Sequence, residues 1–157
     1  MIQRIQSLLL LVAAGCFTAA CFVPVGTITT SEMHYLVTSW MLKECTPDGA
    51  VIYPTYFIGL LQIVLAGMSF GAIFFYKNRS RQSKICIAAI FINFILMVLI
   101  LFVYPNIVFS KLYQVAGAEM QHSYWAMLSV LPLACLYLAN KYIIKDEKKV
   151  RATDRLR

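Results

Sequence analysis

The fold class predicted by this sequence is an all-α membrane protein: a four-transmembrane-helix bundle with a short extracytoplasmic β-hairpin between helices 1 and 2. Three observations predict it. Of 157 residues, 61% are hydrophobic and 13% charged, against about 45–50% and about 25% in soluble chains. The apolar residues are gathered into four long runs, and the mean hydropathy is +0.73. The cations lie almost entirely on one side of those runs. This composition excludes a disordered tail, a collagen-like fibre and a small disulfide scaffold. The length suits one four-span domain over 1–157 and leaves no room for a separate enzymatic domain.

A bilayer core about 30 Å thick needs roughly 20 apolar residues of helix. The first run that meets this is 5–25, with Gln6 and Ser7 at its entrance and Pro24 at its exit. The second is 56–76 and the third 85–104, and neither carries a charge. The fourth, 124–142, carries only Lys141, whose long stem reaches toward the headgroups. Helices are expected because each backbone N–H and C=O must find a partner inside hydrocarbon. A β-barrel would show short alternating segments in place of continuous runs. The first run has a rival reading, since LVAAGC resembles a bacterial lipoprotein processing site at Cys16. Signal apolar regions are about 7–15 residues, whereas this one continues to Val25, so a retained helix is expected.

Orientation follows from charge. The loop 77–84 holds Lys77, Arg79, Arg81 and Lys84, and the tail 143–157 adds Lys145, Lys148, Lys149, Arg151, Arg155 and Arg157. With Arg4 and Lys141, 12 of the 14 cations share a side, leaving only Lys43 and Lys111 opposite. Cytoplasmic loops carry the Lys and Arg excess, so both termini are expected in the cytoplasm. The acids divide so that the inside sums to +9 and the outside to −2, which recovers the net +7. Tyr53, Tyr56, Tyr76, Tyr104, Tyr124, Trp125 and Tyr142 stand at the span boundaries, where aromatic side chains are favoured.

In the outer loop 26–55, HYLVTSWML and GAVIYPTY flank Thr46-Pro47-Asp48-Gly49. Two β-rich runs around a Pro and Gly turn predict the hairpin. An isolated hairpin is marginal in water, so it must lean on the helices or on a partner. The second outer loop, 105–123, suits a short interfacial helix over 108–116. The tail is helix-compatible, with Glu147 and Arg151 spaced for an i,i+4 pair. Its cations enforce topology and suit anionic lipid headgroups or a cytosolic partner. Nucleic acid is not expected, because no aromatics interleave the cations.

Gln62, Ser69 and Asn93 lie within apolar runs. There they are expected to hydrogen-bond between helices, each bond contributing on the order of 1 kcal/mol. The sharper alternative is a ligand or ion path lined by Gln62 and Asn93, although such paths generally need an ionisable group. Gly67 and Gly71 form Gly-x-x-x-Gly with Gly59 two turns earlier, a packing surface within the bundle or in a homodimer. Pro132 is expected to kink the fourth helix and free the carbonyl of Leu128. Cys16, Cys21, Cys45, Cys86 and Cys135 contain no Cys-x-x-Cys, which argues against a thiol oxidoreductase. Glu32-x-His34 and Glu119-x-x-His122 are a remote metal candidate, the second pair sharing a face if helical. A zinc site needs three or four converging ligands. No catalytic, cofactor-binding or metal-binding residue is assigned.

The start MIQRIQSLLLL, the third-span entry RQSKICI with Asn93 after it, and the ending LANKYIIKDEKKVRATDRLR resemble a family of small inner-membrane proteins from Bacteroidota, domain of unknown function 4293. The resemblance runs end to end, and the basic tail is its most specific part. It implies four helices, a short outer hairpin and both ends inside, and it brings no activity. The expected function is a non-enzymatic scaffold or accessory subunit of a membrane complex, partnered by the bilayer and by a membrane protein or a second copy. The alternative is a small transporter or channel component.

Overall fold

The computed structural model describes residues 2–29, 34–45, 51–103, 106, 119–122 and 130–154. These form four α-helices and one five-stranded antiparallel sheet. Helix α1 is Ile2–Ala20, α2 is Tyr56–Phe74 and α3 is Arg79–Val98, which α4, Val130–Asp154, follows in chain order. A 3-10 turn, Phe75–Lys77, leads out of α2, and a π-helical turn, Leu99–Val103, extends α3. Helix α1 packs against α2 and α4, and α3 packs against the same two, so the four form a square bundle in chain order. Of these, α2 and Arg79–Val103 are long and apolar enough to cross a membrane, while the apolar part of α1, Ile5–Ala20, is shorter.

The bundle is apolar on its outside, and its interior mixes small, polar and large apolar side chains. Ala13, Ala72, Ala89 and Ala139, one from each helix, are buried at its centre, and so are Gln6, Gln62, Ser69, Gln82 and Asn93. Small inward residues let helix backbones approach closely. Leu10, Phe17, Leu65, Leu96 and Leu136 fill the interior as well, yet many large apolar residues face outward: Leu8, Leu11, Leu60, Phe74, Phe91 and Leu131 are each half or more exposed. A water-soluble bundle puts these on the inside.

The first helix ends at Ala20, short of the expected Val25. Cys21 and Phe22 N–H donate to Thr18 and Ala19 O, tightening the last turn. Pro24 then bars further helix, because the residue before a proline is steered out of the α region. Strand β1, Gly26–Thr29, begins at once, followed by β2, His34–Val37, β3, Met41–Glu44, and β4, Val51–Pro54. A fifth strand, β5, Glu119–His122, comes from the connection between α3 and α4 and pairs with β1. The order across the sheet is β4-β3-β2-β1-β5.

The two-stranded hairpin expected here is therefore one corner of a larger sheet. Strands β3 and β4 do pair across the 46–49 turn, which lies outside the described residues. The run HYLVTSWML splits into β2 and β3 because Ser39 and Trp40 turn back toward the helices. The inward faces carry Val25, Ile28, Tyr35, Val37 and Leu42, which join Phe17 and Ile58 in one continuous core. The sheet therefore caps the end of the bundle where α1 stops and α2 starts. The 108–116 helix, Tyr104, Tyr124, Trp125 and Leu128 also lie outside the described residues.

The weld between sheet and bundle is the Ser39–Trp40 turn. Ser39 Oγ donates to Ala20 O (3.1 Å) and Trp40 Nε1 to Cys21 O (2.8 Å). In return, Thr55 N–H donates to Trp40 O and Gly59 N–H to Ser39 O. One two-residue turn thus serves the last carbonyls of α1 and the first amides of α2, groups that a helix cannot satisfy internally. Gly59 admits the indole: a Cβ there would lie 2.7 Å from its ring atoms.

Candidate functional site

Opposite the sheet, the bundle ends in charge, and that end gathers side chains from several helices. Asn78 starts α3, its Oδ1 accepting from Arg81 N–H at 3.4 Å and its carbonyl from Gln82 N–H at 3.0 Å. Residues 79–84 are consequently helical, a correction to the loop expected over 77–84. Hydropathy marks where apolar sequence begins, and Arg and Gln are good helix formers that extend the helix beyond it. Likewise α4 continues unbroken through the expected tail to Asp154.

Arg79 reaches across to α4. Its Nη2 lies 3.2 Å from Asp146 Oδ2, and its Nη1 donates to Asp146 O at 3.2 Å. Oδ2 is enclosed and receives no well-aligned hydrogen bond, so that contact is chiefly charge on charge. One turn deeper, Ser83 Oγ donates to Asn140 Oδ1 at 2.7 Å. These contacts join α3 to α4. Beside them, α4 presents a groove of about 410 Å³ lined by Tyr137, Asn140, Lys141, Ile144, Lys145 and Lys148.

The polar residues singled out within the runs behave differently from one another. Ser69 Oγ donates to Leu65 O of its own helix (2.8 Å), not to a neighbour. A hydroxyl can reach back one turn, and it does so here. Gln62 and Asn93 are both buried, on the adjacent helices α2 and α3. Gln62 Oε1 and Gln6 Nε2 are enclosed without a hydrogen-bond partner. Among the described residues no charged side chain is fully buried.

The histidine and glutamate candidates fall on the sheet. Residues 119–122 are a strand, so Glu119 and His122 do not share a helix face. Their β5 segment is held as strand by its pairing with β1. Thr29 stands opposite both His34 and Glu119, placing those two in one row about 9.5 Å apart. His122 lies opposite Gly26, at the other end of the ladder. Glu32 lies outside the described residues, among which no group of three metal-binding side chains forms.

The family described as Domain of unknown function (DUF4293) matches residues 2–156, which takes in the whole bundle, the sheet and the charged end. The chain belongs to the DUF4293 family. No curated protein matches it.

In this DUF4293 chain the five cysteines are all unpaired: Cys21, Cys86 and Cys135 are buried, Cys16 is half-buried and Cys45 is exposed beyond β3. The three glycines of α2 divide. Gly59 is taken up by Trp40, while a Cβ at Gly67 or Gly71 would meet nothing within 4 Å. That face does not serve packing within the bundle. Sequence reasoning passed over Ser39, Trp40, Arg79–Asp146 and Ser83–Asn140 as contacts. A helix-periodic Ser83 and Asn140 just inside two charged ends was the available signal; the Ser39–Trp40 turn offers no Gly or Pro to announce it.

Proposed function

We propose that this DUF4293 protein is a non-enzymatic integral membrane protein of the bacterial inner membrane, crossing it four times with both termini in the cytoplasm. Its role is that of a scaffold or accessory subunit of a membrane complex. The observation that carries this reading is the apolar outer surface of the bundle, where Leu60, Phe74 and Phe91 are exposed while Gln62 and Asn93 are buried. Apolar exposure on that scale needs an apolar medium or a partner. Nineteen residues of α2 span about 28 Å, near the thickness of a bilayer core. Helices α1 and α4 share the same bundle and carry Leu8, Leu11, Leu131 and Leu138 outward. The cations at the charged end favour the cytoplasmic side. The scaffold role draws support from the open face at Gly67 and Gly71 and from β4 and β5, which among the described residues are the outer strands of the sheet and offer backbone for pairing.

Exposed Cys45 supplies the topology test. An impermeant maleimide should label it in intact spheroplasts, while a tag after Arg157 should react only after lysis. The opposite pattern overturns the orientation. Crosslinking from native membranes, with and without residues 145–157, tests the role: a reproducible partner is expected, and a bare monomer in both cases defeats it. The enclosed Gln62 Oε1 favours a second reading, a small transporter or channel component. Solute flux in liposomes that depends on Gln62 or Asn93 would put this reading first.

A further inference from the structure

We propose that the groove on α4 binds the headgroup of an anionic phospholipid through Lys141, Lys145 and Lys148. This rests on the membrane reading above and assigns a ligand to one face of one helix. At 3.6 residues per turn, the three lysines fall within an arc of about 60°, one below another over about 10 Å. Tyr137 continues the same stripe toward the middle of the bundle, and Ile144 sits between the lysines. The stripe therefore runs from an exposed aromatic ring into a column of ammonium groups. That order matches a lipid lying along the helix, with acyl chain against Tyr137 and phosphate among the lysines.

Local charge favours the same occupant. Asp146 points away from the stripe and is held by Arg79 on α3. Glu147 already has a partner of its own. Lys141, Lys145 and Lys148 are exposed, and none of the three forms an ion pair among the described residues. Three adjacent cations without a counter-ion repel one another, and a phosphodiester removes that repulsion. Lys141 lies inside the last apolar turn of α4, where its stem can hold the ammonium at headgroup level. A soluble anion would gain nothing from Tyr137 and Ile144, whereas a lipid covers both. Each basic residue near an anionic surface contributes roughly a fivefold gain in affinity.

The test is native mass spectrometry of the full chain in mild detergent, titrated with phosphatidylglycerol or phosphatidylcholine. The wild type should retain phosphatidylglycerol at least tenfold more tightly. The variant K141Q/K145Q/K148Q should lose that preference, and K141R/K145R/K148R should keep it. A charge-matched control, K84Q/K149Q/R151Q, should change it less than threefold. Equal retention of the two lipids by the wild type, or equal losses in both glutamine variants, overturns the proposal. So does displacement of phosphatidylglycerol by inorganic phosphate at equal concentration, which would make the groove a site for a free anion. Recovery of the wild type in alkali-washed membranes is measured in parallel, so failure of the lipid site is distinct from failure of the membrane reading.

Discussion

The two ends of the bundle are finished by different physics. At the sheet end, helix termini meet groups brought from far along the chain: Ser39 and Trp40 serve Ala20, Cys21, Thr55 and Gly59. At the charged end, α3 starts on its own neighbour Asn78, and α4 runs on through lysines until Asp154. One end is thus specified by shape and directed hydrogen bonds, the other by local capping and charge. The first should be intolerant of small changes, and the second should absorb them.

The largest expected effect is at the sheet end. Trp40→Ala empties the site over Gly59 and removes the bond to Cys21, and should cost about 3–5 kcal/mol. Thermal unfolding in detergent measures it, and a loss below about 1 kcal/mol would erase the contrast between the ends. Gly59→Ala forces a Cβ into the indole and should cost about 1–3 kcal/mol. Gly67→Ala, with open space around it, should stay within about 0.5 kcal/mol in the same assay. At the charged end, Ser83→Ala removes the donor to Asn140 and should cost about 1 kcal/mol. Ser69→Ala, which breaks only a bond within its own helix, should cost less than Ser83→Ala. The coupling of Arg79 and Asp146 is expected to be small as well. With side chains 24% and 16% exposed, solvent screening leaves about 0.2–1 kcal/mol in a double-mutant cycle, falling as salt rises.

The same contrast explains what the sequence made legible. Four apolar runs announced four helices, and the second run begins at Tyr56, where α2 begins. The β3–β4 pairing was readable from β-branched and aromatic runs on either side of a turn. By contrast, β5 is Glu-Met-Gln-His, with no β-branched residue, and its form comes from pairing with β1 across most of the chain. The Gly26–Thr29 segment is rich in β-branched residues, but four residues next to a helix end are too short a run to announce a strand. Gly59 looked like part of a small-residue stripe, and only the indole from residue 40 distinguishes it from Gly67. At the charged end, counting apolar residues located the edge of the hydrophobic zone and missed the helical turns beyond it. The ion pair and Ser83–Asn140 bond arise where those turns cross.

The pairing of β5 with β1 has a mechanical consequence. It stitches the connection between the second pair of helices to the connection between the first pair, so neither pair can swing away at that end without tearing a backbone ladder. The opposite end is joined by a single tight turn and a few side-chain contacts. The molecule is built like a clothes peg with its spring at the sheet, and any splaying of the helices has to begin at the jaws.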